Sequence, residues 1–249
     1  MKKNVKFLLA VSSVVAGLFI SSCSLNNDNV QPTPTAALMA FNLAPDKSGI
    51  GVTLSGNLLP GPLAYTSFTG GYISIYPGTR EVRTYDYLTG NTLTINSGNF
   101  TVNKFYSSFL VGNNKAYKNV VVRDNFDSLS VVTGKAYIRY INAIADSTQS
   151  PEVTINAGGT DVVKKNAAYA SVSNFVPVSI GDVNVKVSNS GSINTTRKIT
   201  LTQSKIYTVL LVGVPSSTDT TKSVKIKYIE NGIVDNKNAR VAASANAIN

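Results

Sequence analysis

Few residues in this chain are suited to catalytic chemistry. Its 249 residues include no histidine, no tryptophan and a single cysteine, Cys23. Histidine is the commonest general base near neutral pH and the commonest transition-metal ligand, so its absence removes most hydrolase triads and most zinc sites. One cysteine excludes an internal disulfide and any multi-thiolate metal site. Among the 13 acids, the nearest approach to a calcium loop is Asp124-Asn125-Phe126-Asp127, which lacks the glycine turn and distal glutamate of such loops. There is no Gly-x-Ser-x-Gly nucleophile turn, and the Gly-rich pieces read as hairpin turns rather than phosphate loops. Glycoside hydrolysis needs only two carboxylates at a fixed gap, which keeps a glycan-acting hydrolase as the enzyme alternative. The expectation is a protein without metal, cofactor or catalytic residues. Its chemistry is then that of Cys23 and of exposed side chains.

Cys23 stands in an informative place. Met1 to Lys6 is a short basic start, and Phe7 to Ile20 is apolar apart from Ser12, Ser13 and Gly17. That shape is a secretory signal, too short and too weakly flanked to span a membrane. It ends in Ile20-Ser21-Ser22-Cys23. This resembles the lipobox of bacterial lipoproteins, an aliphatic residue, two small ones and cysteine. The resemblance implies diacylglyceryl transfer to the Cys23 thiol and cleavage after Ser22, so that residues 1–22 leave. A multiply acylated cysteine is a lasting anchor, since each buried methylene contributes about 0.8 kcal/mol. Ser24 replaces the aspartate that often holds lipoproteins in the inner membrane, which by the same resemblance favours the outer membrane. Residues 23–35 read as a lipidated tether: polar, aperiodic and ending in a Pro-Thr repeat that favours polyproline II, at ~3.1 Å per residue.

The elements that follow are strands. Thr, Ser, Asn, Val and Ile abound while glutamate occurs only at 81, 152 and 230, a bias toward pleated surfaces and away from helices. Self-comparison shows a duplication. Asn42 and Asp46 match Asn142 and Asp146 at an offset of 100, Ala64-Tyr65-x-Ser67 matches Ala168-Tyr169-x-Ser171, and Lys104–Gly112 matches Lys205–Gly213. Val183, Val185 and Val187 alternate with polar neighbours, whereas Ile206 to Val212 is apolar throughout, as in a central strand covered on both faces. Turn signals recur every 8 to 15 residues. The expected fold is all-β: two tandem immunoglobulin-like antiparallel β-sandwich domains, residues 36–131 and 132–235, each its own folding unit, followed by a loose tail at 236–249.

The strands that open and close each copy carry a family resemblance. Copy two opens with Arg139, Asn142 and Asp146 and closes with Tyr207, Thr208 and Gly213. This pattern resembles the bacterial domain-of-unknown-function family numbered 4397, with its Arg-x-x-Asn-x-x-x-Asp and Tyr-Thr-x-x-x-x-Gly strands. Copy one keeps Asn42, Asp46, Tyr106 and Gly112 but has Met39 for the arginine and Ser107 for the threonine. The resemblance implies a β-sandwich of the cell envelope and supplies no activity.

The copies differ most in aromatics: 13 Phe and Tyr in copy one against six in copy two. Aligning Val82 with Val185 predicts that Arg83, Tyr85 and Tyr87 stand outward where copy two has Lys186, Ser188 and Ser190. Exposed Tyr and Arg are enriched where partners bind, so these three are the candidate binding residues. Ser128, Ser147 and Thr220 follow aspartates in a pattern resembling the O-glycosylation acceptor of some Gram-negative lineages. Removing Lys2, Lys3 and Lys6 with the signal leaves 20 basic against 13 acidic residues, net +7. They form no run, which describes a solvated basic surface, and nucleic acid is not an expected partner. The functional expectation is a non-enzymatic binding or adhesion module, held on the membrane through Cys23, with a protein or glycan ligand. An architectural envelope protein is the alternative.

Overall fold

Alternating strands need something to cover their apolar side, and here each copy covers its own and the two copies then cover one another. The computed structural model describes residues 33–146, 150–235 and 238–240. Cys23, the signal segment and most of the tether therefore lie outside the described residues, as does Ser147. Copy one contains β1 (Ala36–Asn42), β2 (Gly49–Leu54), β3 (Asn57–Leu58), β4 (Leu63–Ala64), β5 (Ile73–Ile75), β6 (Gly78–Asp86), β7 (Thr92–Phe100), β8 (Phe105–Asn113) and β9 (Ala116–Asp124). Copy two contains β10 (Lys135–Ile144), β11 (Glu152–Ala157), β12 (Thr160–Asn166), β13 (Val176–Ser179), β14 (Gly181–Ser188), β15 (Asn194–Leu201), β16 (Lys205–Gly213), β17 (Lys225–Asp235) and β18 (Asn238–Arg240). Among the described residues no helix is long and apolar enough to cross a membrane.

Each copy is a two-sheet sandwich. The inner sheets run β5-β1-β8-β9 and β13-β10-β16-β17-β18, and the outer sheets β3-β2-β6-β7 and β12-β11-β14-β15. Pairing is antiparallel save for β1 with β8 and β10 with β16, which are parallel. A parallel pair cannot close through a hairpin, so the opening and closing strands of each copy meet only after the rest of the domain has intervened. These are the strands that carry the duplicated sequence. Part of the tail read as loose is ordered, because Asn238–Arg240 extends the second inner sheet beside β17.

The faces of β1 show how the layers stack. Leu38 and Ala40 enter copy one's own core, with Val52, Val82 and Phe100 from the outer sheet. Met39 and Phe41 point the other way, into a cluster with Phe109 and Val111 of β8, Ile141 and Ala143 of β10, Leu210 and Val212 of β16, and Ile229 of β17. The two inner sheets thus pack face to face, giving four sheets in the order outer, inner, inner, outer. This explains why β8 and β16 are buried along nearly their whole length. Burial alternates most regularly in strands of the outer sheets, such as β14. Phe41 stacks on Phe109 with centroids 4.6 Å apart at the centre of the shared layer.

The shared layer corrects the expectation of two separate folding units. Each copy has its own core, but the described residues from Pro34 onward group as one compact unit. Residues 132–249 expressed alone would present Ile141, Ala143, Leu210, Val212 and Ile229 to water. Light scattering should find this fragment self-associated, with a melting temperature below that of the whole chain. A monomeric fragment melting where the whole chain melts would contradict the shared layer.

Candidate binding surface

Among the described residues, an ion pair with both partners nearly fully buried lies between the copies, and its surroundings decide whether it can be a reaction centre. Arg139 of β10 reaches across to Asp124 at the end of β9; the two residues are 3% and 2% exposed. Arg139 also donates to Ser107 Oγ at 2.9 Å and to Thr208 Oγ1 at 3.0 Å, and its guanidinium lies 4.4 Å from the Phe175 ring centroid. Asp124 accepts from Ser107 Oγ at 2.7 Å and from the Tyr72 hydroxyl. Thr208 donates to Asn231 Oδ1, and Asn231 Nδ2 closes the ring by donating to Tyr72. Both charges are paired and hydrogen-bonded in the buried layer, so the cluster acts as a lock between the copies. Met39 occupies the place in copy one that Arg139 fills in copy two, so the shared layer receives one arginine rather than two.

The other family positions are structural as well. Asn42 donates to Leu63 O and accepts from Ala44 N, and Asn142 repeats this with Ala167 O and Ile144 N. The hydroxyls of Tyr106 and Tyr207 accept from the backbone of Thr101 and Thr202. Asp46 accepts from Asn114 N and Tyr117, tying the β8–β9 hairpin. Gly112 and Gly213 have φ of +121° and +115°, and a Cβ there would strike the carbonyl oxygens of Ala116 and Ser223. Only glycine fits such a position.

Neither acid of the calcium-like stretch is free for a metal. Asp124 is held by Arg139, and Asp127 binds Lys104 at 3.0 Å and Arg123 at 2.7 Å, which keeps its carboxyl below the usual range. Among the described residues no three potential metal ligands of the Cys, His, Asp and Glu types come together. A depression of about 390 Å³ includes Asp86, but that carboxylate is paired with Lys47 at 3.0 Å. Ser128 is exposed, its hydroxyl donating to Asn125 O at 2.7 Å, and Thr220 is exposed in the β16–β17 connection.

The candidate binding residues occupy the outer face of copy one. Val82 and Thr84 point into the core, leaving Arg83 and Tyr85 outside, and Tyr87 follows in the β6–β7 turn at 48% exposure. The Tyr85 ring lies across Gly51 of β2, its cross-strand partner, where any side chain would collide with it. Arg83 stands 5.1 Å from the Tyr85 centroid and donates from Nε to Thr92 Oγ1 at 2.8 Å. Across β6, Arg83 pairs with Ile95, a 54% exposed side chain that strand alternation does not single out. A bulge at Thr84/Tyr85 resets the parity of β7, so Leu93 packs against the core while Ile95 faces water. The matching positions of copy two are Glu152, Lys186, Ser188 and Thr196, all polar. A second apolar depression, about 270 Å³, involves Leu58, Ile73, Tyr76 and Arg80. Tyr76 drew no attention in the sequence because its turn breaks the alternation.

The model of a family described as domain of unknown function (DUF4397) matches the chain twice, over residues 36–149 and 136–243. No curated protein matches the chain. Similar solved structures include the Bacillus anthracis TIE protein, 12% identical with a TM-score of 0.25 and covering 73% of this chain. This chain spans 34% of that protein's length. A streptococcal virulence factor described by its alpha-glucan binding is 9% identical, covering 76% of this chain and 95% of its own, with a TM-score of 0.23. A putative cell adhesion protein from Bacteroides eggerthii DSM 20697 is 12% identical, covering 82% and 97%, with a TM-score of 0.25. Likenesses this weak carry no argument about function.

Burial gives the protein an alkaline limit. Tyr72 is raised well above the ordinary value by burial and by Asp124, Tyr65 is pushed up to about 12 by burial, and Tyr140 and Tyr169 are raised for the same reason. Above the unfolded value of about 10, the unfolded chain gives up protons that the folded chain keeps. Their contribution is therefore complete below about pH 10 and lost as pH rises further. Urea midpoints should fall from roughly pH 9 to pH 11, with tyrosinate absorbance appearing on unfolding. A midpoint that stays level across that range would contradict the burial of these hydroxyls.

Proposed function

We propose that this chain, which belongs to the DUF4397 family, is a lipid-anchored, non-enzymatic binding module of the cell envelope whose copy one contacts the ligand. One observation carries this reading. On one repeated frame, Gly51, Arg83, Tyr85 and Ile95 stand where copy two has Glu152, Lys186, Ser188 and Thr196. A duplicated fold needs no such difference on its outer faces. Arg83 is held in place by Thr92 and the tyrosine ring, and Tyr85 lies on the glycine, so ordering them on binding costs little entropy. Tyr and Arg are also the side chains most often found at binding hot spots. The ligand class is a protein or glycan of the envelope. The lipobox-like Ile20-Ser21-Ser22-Cys23 supports the anchor, and Ser24 an outer-membrane destination.

Two experiments address the two halves of this reading. With a palmitate analogue supplied to cells, label should enter the wild-type protein and be absent from Cys23→Ala, which should leave the membrane fraction. Label on Cys23→Ala, or none on the wild type, would remove the anchor. For recognition, the triple variant Arg83→Lys, Tyr85→Ser, Ile95→Thr installs copy two's residues in copy one. It should weaken capture of the ligand recovered from detergent-solubilised membranes about 30-fold, the scale of one hot spot of about 2 kcal/mol. Tyr87→Ala should also weaken capture and leave the melting temperature nearly unchanged. Ser188→Ala should alter neither. Unchanged capture by the triple variant would remove the recognition face.

A further inference from the structure

The chain enters the four-sheet stack at one end, and that end is unusually apolar at its loop tips. The backbone of Thr35, which leads into β1, accepts from Asn103 N at 2.8 Å, and Ala37 N donates to Lys104 O. The β7–β8 connection of copy one is thereby placed beside the entry point, and the pairing of Ile75 with Ala36 brings the β5–β6 connection there too. Their counterparts in copy two come to the same end. Ile180 N donates to Gly134 O at 3.1 Å, Ser204 N to Lys135 O at 2.8 Å, and Gly134 N to Gln203 Oε1 at 3.0 Å. Beneath these loops Phe126, Tyr137, Ile206 and Val234 form one cluster, with Tyr72 and Phe105 packed against it, so the starts of β8 and β16 share an end.

Five exposed apolar side chains crown it: Tyr76 at 59%, Ile180 at 44%, and Val102, Val131 and Val132. They come from four connections, Val131 and Val132 being neighbours in the one before β10, and no strand pattern requires them there. Arg80, Lys104, Arg123 and Lys135 ring the end. Arg80 lies 5.9 Å from the Tyr76 centroid, Lys104 and Arg123 share Asp127, and Lys135 bonds Ser179. Glu81 is an exposed acid at the start of β6. Tyrosine beside arginine over an apolar tip is the composition that settles at the boundary between lipid headgroups and acyl chains. The recognition residues lie in the far half of β6 and in the turn beyond it, toward the opposite end.

We propose that this end of the stack is a lipid-contacting surface, with Tyr76, Val102, Val131, Val132 and Ile180 entering the interfacial zone of the bilayer. The inference rests on Cys23 being the anchor. Eleven residues lie between that cysteine and Thr35, which lets the end reach the bilayer without compelling it to. Contact at the loop tips would add a second attachment to the acyl chains and would fix the stack upright, with Arg83, Tyr85 and Tyr87 directed away from the membrane.

The absence of tryptophan makes the test direct, because any one introduced is the only one. Tyr76→Trp, Ile180→Trp and, at the opposite end, Leu88→Trp would be prepared as mature acylated protein. Each would be reconstituted in phosphatidylethanolamine–phosphatidylglycerol vesicles with ordinary or brominated acyl chains. Brominated lipid should quench Tyr76→Trp and Ile180→Trp by about half and leave Leu88→Trp unchanged. If the protein floats with the vesicles and positions 76 and 180 stay bright, the contact is overturned while the anchor stands. Equal quenching at all three positions would overturn the upright arrangement and the contact with it. Protein that does not float overturns the anchor reading, and the lipid contact too, since the loop tips then fail to hold it.

Discussion

A guanidinium and a carboxylate buried together are stable only when every lone pair and proton is matched, and the Arg139–Asp124 pair meets that condition by drawing on both copies. Asp124, Ser107 and Tyr72 come from the first copy, and Arg139, Thr208 and Asn231 from the second. Remove either half and a charge remains in a layer otherwise made of Met39, Phe41, Phe109, Ile141 and Leu210. That fixes how the inner sheets face each other. The apolar contacts supply attraction without direction; the ion pair selects one alignment among those that the apolar contacts would permit. The orientation of the outer faces, and of every loop at either end, follows from it.

The same constraint explains why the copies diverged where they did. Identical inner faces would bring two arginines into one dry layer, and like charges there are costly to bury. Methionine at position 39 keeps the volume and drops the charge. Ser107, the copy-one counterpart of Thr208, bonds both members of the pair. The departures of copy one from the family pattern are thus consequences of packing against copy two. Those on the outer sheets, at Arg83, Tyr85 and Ile95, have no counterpart in that packing, and Gly51 leaves the space that the Tyr85 ring fills.

Much of the fold could be read from the chain. The offset near 100 marked two copies because duplicated strands keep their core residues, and Val183-x-Val185-x-Val187 marked an outer-sheet strand because one of its faces is wet. Ile206 to Val212 could be read as a strand covered on both sides. What covered the second face was not legible, since an apolar side chain carries no address, and the copies accordingly read as independent. Arg139 was visible as a motif residue, but its partner Asp124 lay in a stretch that resembled a metal loop. On the candidate face, parity placed Arg83 and Tyr85 correctly, while the bulge beside Tyr85 hid Ile95. A bulge is set by local backbone twist and leaves no periodic trace.

The claim that one ion pair aligns the two copies is most directly tested by a double-mutant cycle in urea unfolding of the whole chain, using Arg139→Met and Asp124→Leu. Each single change should cost about 3–5 kcal/mol because it strands the opposite charge, and the double variant should recover most of that loss, in one cooperative transition. Single costs within about 0.5 kcal/mol of zero, or a double cost equal to the sum of the singles, would contradict it.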